Sequence, residues 1–322
     1  MKDFPRRRQD LSAVWVQAGA GLSLRDPRTQ HRYTLTQRAG RFLLFLDGTS
    51  DPAEFEALSA DKRYRLLLQF QKMGWLEGPD PVVSAPGLRL RMIPCGETLR
   101  RGCRCPLFLL YNALLRLWPL ALLVCLIACS APGALRLPFH QTPVQNLLCL
   151  FLCQIPAIAM HELAHAAAAN ASGLPVDAFG IGINLGVPCL CTVIQLVPFA
   201  PLQIQRSVYK AGPLSNLCIG CIALTLCLRV RWLCSEILFW AAVVNLLLAV
   251  INLLPFVMLD GCKILKTFPA LRRAMSGSRA PSAGPLESSV SCGYRFLQQV
   301  GFPVFLAYQA ICLIQTVVEL IL

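Results

Sequence analysis

Apolar and polar positions follow two different rhythms along this chain. Over roughly the first hundred residues they alternate in short bursts, and beyond Cys105 the apolar positions run together for twenty residues at a time. In the first part, 14–16 and 22–24 read as short strands around a Gly19-Ala20-Gly21 turn, with 32–35 as a third strand. Thr36 is placed to cap a helix whose apolar positions Phe42, Leu43, Phe45 and Leu46 lead to an Asp47-Gly48 stop. Asp51-Pro52 opens a second helix, with Pro at the first helical position. A third starts at Asp61, carries Tyr64, Leu67, Leu68 and Phe70 on one face, and ends at Gly74; Trp75-Leu76-Glu77 would be a returning strand. The pattern predicts a small α+β domain over 1–78. A linker over 79–106 follows, rich in Pro and Gly over 79–87.

The apolar stretch over 107–129 is long enough to cross a hydrocarbon core of ~30 Å at 1.5 Å per residue, and 144–169, 213–228, 233–257 and 302–322 read as four further spans. Residues 178–200 are also apolar but rich in Gly, Pro and β-branched residues, which suits an irregular segment at membrane depth. The predicted fold is therefore an α-helical polytopic membrane protein of five to six transmembrane segments over 107–322. Composition agrees: 55% of residues are apolar, 15% are charged, and the mean hydropathy is +0.55. That excludes an ordinary soluble domain, about 25% charged, and excludes intrinsic disorder.

The net charge of +13 invites a nucleic-acid reading, but 18 of the 30 Lys and Arg lie in residues 1–110 and most others flank apolar runs. With no aromatic-rich basic groove, no nucleic-acid partner is expected. Arg100, Arg101 and Arg104 before the first span, and Lys263, Lys266, Arg272, Arg273 and Arg279 after the fifth apolar stretch, belong on the cytoplasmic side. Arg229 and Arg231 then fall outside, against the trend. Met1 to Arg8 has no apolar core behind it, so no cleavable signal peptide is expected. The chain reads as a multi-pass protein of a bacterial plasma membrane with its N-terminal domain in the cytoplasm.

Most of the 16 cysteines lie inside apolar runs, where a thiol packs as a small hydrophobe. Cys103/Cys105 and Cys189/Cys191 lack the Cys-x-x-Cys spacing of structural zinc sites.

The chemistry concentrates in His161-Glu162-Leu163-Ala164-His165. On a helix, positions i and i+4 share a face, so both imidazoles can meet one Zn²⁺. Glu162 then stands where it can take a proton from water, which zinc acidifies to a pKa of about 7. Ionisable side chains within a membrane span are functional by default. Two imidazoles and a water leave the ion one ligand short. Asp260, after the Pro255 break and before Gly261, is the acid best placed to complete the set. An Asp capping the helix that begins near Cys262 is the other reading. Asp177 reads as a turn or surface residue rather than a ligand.

His-Glu-x-x-His on one span, Asn252-x-x-Pro255-x-x-x-Leu259-Asp260-Gly261 at the end of another, and Ala211-Gly212-Pro213-Leu214-Ser215-Asn216 between them resemble the site-2 protease family of intramembrane zinc metalloproteases. The resemblance covers roughly 145–275. It implies one zinc per chain, held by His161, His165 and Asp260, with Glu162 as general base and Asn216 as a catalytic hydrogen-bonding residue. Asn252 would be structural. It also implies that 174–198 forms a membrane-inserted β-hairpin, whose strand edge could hold an unwound substrate near the metal.

The N-terminal order of strands, Tyr33-x-Leu35, a helix ending in Leu46-Asp47-Gly48, and further helices is similar to the PqqD-like peptide-recognition domain. A generic winged helix or cytoplasmic cap remains the other reading of the same elements. The combined expectation is a membrane-embedded zinc endopeptidase. Its substrate is a ribosomally made peptide, whose leader is bound by residues 10–78, or another membrane-associated protein. The alternative is a non-proteolytic membrane protein that recruits peptides for modification or export, which would have no need of Glu162.

Overall fold

The computed structural model describes residues 5–15, 21–77, 82–85, 88–130, 143–184, 187–229, 235–256 and 259–268. The chain divides into two compact units, residues 1–110 with 166–205 and residues 111–165 with 206–322.

In the first unit, β1 (Ser12–Trp15), β2 (Gly21–Arg25) and β3 (Arg32–Thr36) form an antiparallel sheet in chain order. The Thr36 hydroxyl accepts the Ala39 amide and starts α1 (Gln37–Phe45). α2 (Ala60–Lys72) packs its apolar stripe on the same core. Leu22, Phe42, Leu46, Leu67 and Phe70 are sealed from solvent there, and the Phe70 and Trp75 rings lie 5.7 Å apart. Gly74, with φ +70°, takes the left-handed turn that ends α2. The helix expected at Asp51-Pro52 is only a 3₁₀ turn, Pro52–Glu54, capped by the Asp51 carboxylate. Too few apolar positions follow it to extend further. The strand expected at Trp75-Leu76-Glu77 is reduced to a single bridge between Leu76 and Arg7.

The expected linker differs more. Within 79–106 the chain forms β4 (Val82–Ala85), β5 (Leu88–Pro94) and the short α3 (Glu97–Arg100). β6 (Ala178–Asn184) and β7 (Val187–Val193) form a hairpin, and β5 pairs with β6 from Leu88↔Asn184 to Pro94↔Ala178. The result is a four-stranded sheet in the order β4-β5-β6-β7. The period-two alternation Leu88-Arg89-Leu90-Arg91 is what makes β5 a strand, despite the Pro and Gly before it.

Asp177, at the base of the hairpin, is fully buried, which corrects its reading as a turn or surface residue. Its carboxylate accepts the Gln195 amide at 3.0 Å and Nε2 of Gln71, from α2, at 3.2 Å. Burial pushes its pKa up to about 7. Asn170, also fully buried, accepts the Cys105 amide and donates to the Cys103 carbonyl, fixing the backbone that leads into the next helix.

The remaining helices are α4 (Pro106–Leu115), α5 (Trp118–Ser130), α6 (Pro143–Ala171), α7 (Leu202–Arg229), α8 (Ser235–Leu253) and α9 (Asp260–Lys266). The first expected span is not one helix: α4 and α5 bend by 46°. Pro119 accounts for this, since its ring clashes with the carbonyl four residues back, at Leu115, where α4 stops. The apolar stretch over 213–228 is the later part of α7, which begins at Leu202 and contains Pro213.

Three stretches among the described residues, Leu148–Ala171, Leu202–Arg229 and Ser235–Leu253, are long and apolar enough to cross a membrane. The α4–α5 pair makes four if counted as one bent span. The count of five to six is not reached within the described residues; the expected span over 302–322 lies outside them. The thirteen described cysteines are all free thiols.

Candidate metal centre

α6 carries His161 and His165 one turn apart, and both are buried. Their Nε2 atoms stand 3.2 Å from each other, and each is 3.0 Å from Oδ2 of Asp260. Asp260 comes from a different place in the chain. It is the first residue of α9, after the break at the end of α8, and is also buried. It is the first residue of α9 rather than its N-cap, which is Leu259, and among the described residues its carboxylate meets His161, His165 and Lys263. Its second oxygen, Oδ1, accepts from Nζ of Lys263 at 3.0 Å.

Gly261 contributes by being small. A Cβ there would lie 2.2 Å from the Leu253 carbonyl oxygen and 2.4 Å from that of Leu254. Close approach of α9 to the end of α8 is therefore its role, rather than an unusual backbone angle. Arg206, near the start of α7, donates Nε to the Thr267 hydroxyl at 3.1 Å and an amino group to the Thr267 carbonyl, tying down the far end of α9.

Each imidazole is oriented through its other nitrogen. The Nδ1–H of His165 donates to the Val208 carbonyl of α7 at 2.8 Å, and a carbonyl can only accept. The Nδ1 of His161 meets Oδ1 of Asn216 at 2.5 Å. The Asn216 Nδ2 donates to the Ala157 carbonyl at 3.2 Å and to Oδ1 of Asn245, on α8, at 2.8 Å. Both Nε2 lone pairs are thus left facing Asp260.

The three residues could hold a divalent ion. Ligands about 2.0–2.1 Å from a tetrahedral zinc sit about 3.3 Å from one another, close to the spacing of these three atoms. Gly212 leaves room beside the two imidazoles: a Cβ there would lie 2.5 Å from the Nε2 of both histidines. An imidazole pair plus a carboxylate is also a donor set that zinc accepts.

Glu162, half-buried, follows His161 on α6. Asn216 faces His161 rather than open space. Asn252 donates to the Leu248 carbonyl within its own helix. Sequence reasoning missed two residues. Asn245 is an amide in the middle of an apolar span, a position that is itself a signal. Lys263, one turn after Asp260, was read only as flanking charge.

The family model described as Peptidase family M50 matches residues 229–283, a stretch that contains Asp260 but not the His-Glu-x-x-His segment. Among curated proteins, "Putative zinc metalloprotease Rip3" from two strains of Mycobacterium tuberculosis is 32% identical to this chain over 119 residues. The match takes in 35% of this chain and 29% of the relative, so the chain spans under a third of the length of the curated relatives it matches. No solved structure matches. These likenesses are to a peptidase family and to a zinc metalloprotease, and the apolar helices fit a membrane protein.

Proposed function

We propose that this chain is a membrane-embedded zinc endopeptidase of the site-2 protease type. The observation that carries the reading is the convergence of His161, His165 and Asp260, from two separate parts of the chain, to within 4.8 Å of one another, with Gly212 leaving room beside the two imidazoles. His161, His165 and Asp260 would hold one zinc, with their Nε2 and Oδ2 atoms gathered within 3.2 Å of one another. When bound, zinc supplies Lewis acidity, acidifying water and polarising a peptide carbonyl. Glu162 takes the proton from the attacking water and passes it to the departing amine. The Lys263 ammonium keeps the second oxygen of Asp260 occupied, so that one oxygen faces the imidazoles. Burial of all three ligand residues keeps bulk water from competing for them.

The protein sits in the plasma membrane of a bacterium, with its N-terminal domain on the cytoplasmic face beside Arg100, Arg101 and Arg104. The N-terminal sheet with α1 and α2 is a PqqD-like reader of leader peptides. The substrate is a ribosomally made peptide that it delivers to the zinc site, and the β6–β7 hairpin reaches into the membrane to hold the unwound chain. The order of elements and the Thr36 cap support this assignment.

The test uses the full chain in vesicles of phosphatidylethanolamine and phosphatidylglycerol, with a membrane-anchored reporter peptide. Glu162→Gln is expected to keep about one zinc per chain and to cut 10²- to 10⁴-fold more slowly. Equal cleavage by this variant would remove Glu162 from the chemistry and with it the hydrolytic reading.

A further inference from the structure

Asn245 lies in mid-span on α8 and is 97% buried. It lines a hollow of about 310 Å³ whose other lining residues are apolar or thiol side chains. An amide in such surroundings is costly unless its polar ends are bonded. Both ends are bonded. Its Nδ2 donates to the Ala241 carbonyl one turn back at 2.8 Å, and its Oδ1 accepts from Asn216.

The direction of these bonds is not arbitrary. An amide can be turned end for end, and an imidazole can carry its proton on either nitrogen, so each needs an outside reference. A backbone carbonyl is such a reference because it only accepts. The Ala241 carbonyl obliges Asn245 to present Oδ1 to Asn216. That oxygen, with the Ala157 carbonyl, obliges Asn216 to use Nδ2 on this side and turn Oδ1 toward His161. The Asn216 oxygen then claims the Nδ1 proton of His161, which leaves the Nε2 lone pair free. His165 reaches the same state in one step, through the Val208 carbonyl.

We propose that Asn245 is a positioning residue for the metal centre: acting through Asn216, it fixes the tautomer and ring orientation in which His161 offers Nε2. This rests on the zinc reading above. It also assigns Asn216 to orienting a ligand rather than to contact with substrate. Asn245 touches neither metal nor substrate, so its effect belongs in metal affinity and ligand geometry before it reaches turnover.

The experiment compares wild type, Asn245→Leu and Asn245→Asp as full chains in detergent. Zinc affinity is read by competition with a chromogenic chelator, and ligand geometry by the visible spectrum of the Co²⁺-substituted proteins. Leu fills a similar volume but cannot accept from Asn216. Asp restores an accepting oxygen. The expected result is a roughly 10- to 100-fold loss of zinc affinity and an altered Co²⁺ spectrum for Asn245→Leu. For Asn245→Asp, affinity and spectrum stay close to wild type. An Asn245→Leu protein with unchanged affinity and spectrum overturns the proposal while leaving the zinc site in place. Equal losses in both variants overturn it too, by pointing to packing rather than hydrogen-bond direction. If Asn245→Leu does not fold, Asn245→Asp decides alone, with retained affinity in favour and lost affinity against. Wild type that binds neither zinc nor cobalt overturns both this proposal and the reading beneath it.

Discussion

Gly212 lies so close to His161 that a single added methyl group would reach within 2.5 Å of the imidazole Nε2, and equally of its neighbour on His165. The substitution Gly212→Ala therefore fills the room beside both imidazoles. The purified variant is expected to contain almost no zinc by elemental analysis and to lose at least about 10²-fold in peptide cleavage. Normal zinc content in this variant would show that the ion is held elsewhere.

Lys263 reaches Asp260 from one turn along α9, and its side chain is about half exposed. Lys263→Met keeps the aliphatic stem and removes the charge that occupies Oδ1. Zinc affinity, measured against a competing chelator, is expected to fall roughly 10-fold, the lower end for loss of a group that orients a ligand. An unchanged dissociation constant would mean that α9 alone sets the carboxylate.

Asp177 links stability to pH. Burial raises its folded pKa to about 7, above the ordinary 3.8 of an unfolded chain. Between those values the folded form binds more protons, so stability is greatest below about pH 4 and declines as pH rises through about 7. A loss on the order of a few kcal/mol follows over that window. Thermal unfolding in detergent from pH 4 to 8 should show this decline, and Asp177→Asn should flatten it. An identical slope in the variant would assign the pH dependence to other groups.

Gly40 sits where α1 crosses β2, and a Cβ there would lie 2.6 Å from that of Leu22. Gly40→Ala forces the helix off the sheet, at about 1–3 kcal/mol. Hydrogen exchange on the full chain should show faster exchange in β2 and α1, with α6 to α8 unaffected. Unchanged protection in the N-terminal sheet would mean that the helix shifts without cost.

Much of the candidate site could be read before any coordinates, because helix geometry alone puts His161 and His165 on one face. Asp260 stood out in a body with few acids, next to a proline that ends a span. The partners of those residues were harder to see. Asn245 meets Asn216 across two helices, and no local pattern encodes how α7 and α8 are rotated against each other. The backbone carbonyls of Val208 and Ala241 leave no trace in residue identity at all. In the fold, the caps at Thr36 and Gly74 were legible because they act over three or four residues. The β5–β6 pairing was not, since its partners are about ninety residues apart and the Pro and Gly of 79–87 masked the alternation after them. The kink before Pro119 was legible in principle, but uniform hydrophobicity hid it.

The order of the four-stranded sheet limits any extended guest. With β6 zipped along both flanks, its amides have no vacancies, and among the described residues of this sheet the flanks without a strand partner are those of β4, β7 and the end of β5 beyond Arg91. The two outer strands are unequal, four residues at Val82–Ala85 against seven at Val187–Val193. At about 3.3 Å per residue the longer one measures some 23 Å, enough to hold a visitor in a single register, whereas the shorter leaves it free to slip. A stretch that looks like mere tether, by joining β6, has thus settled in advance the side from which a fifth strand can arrive.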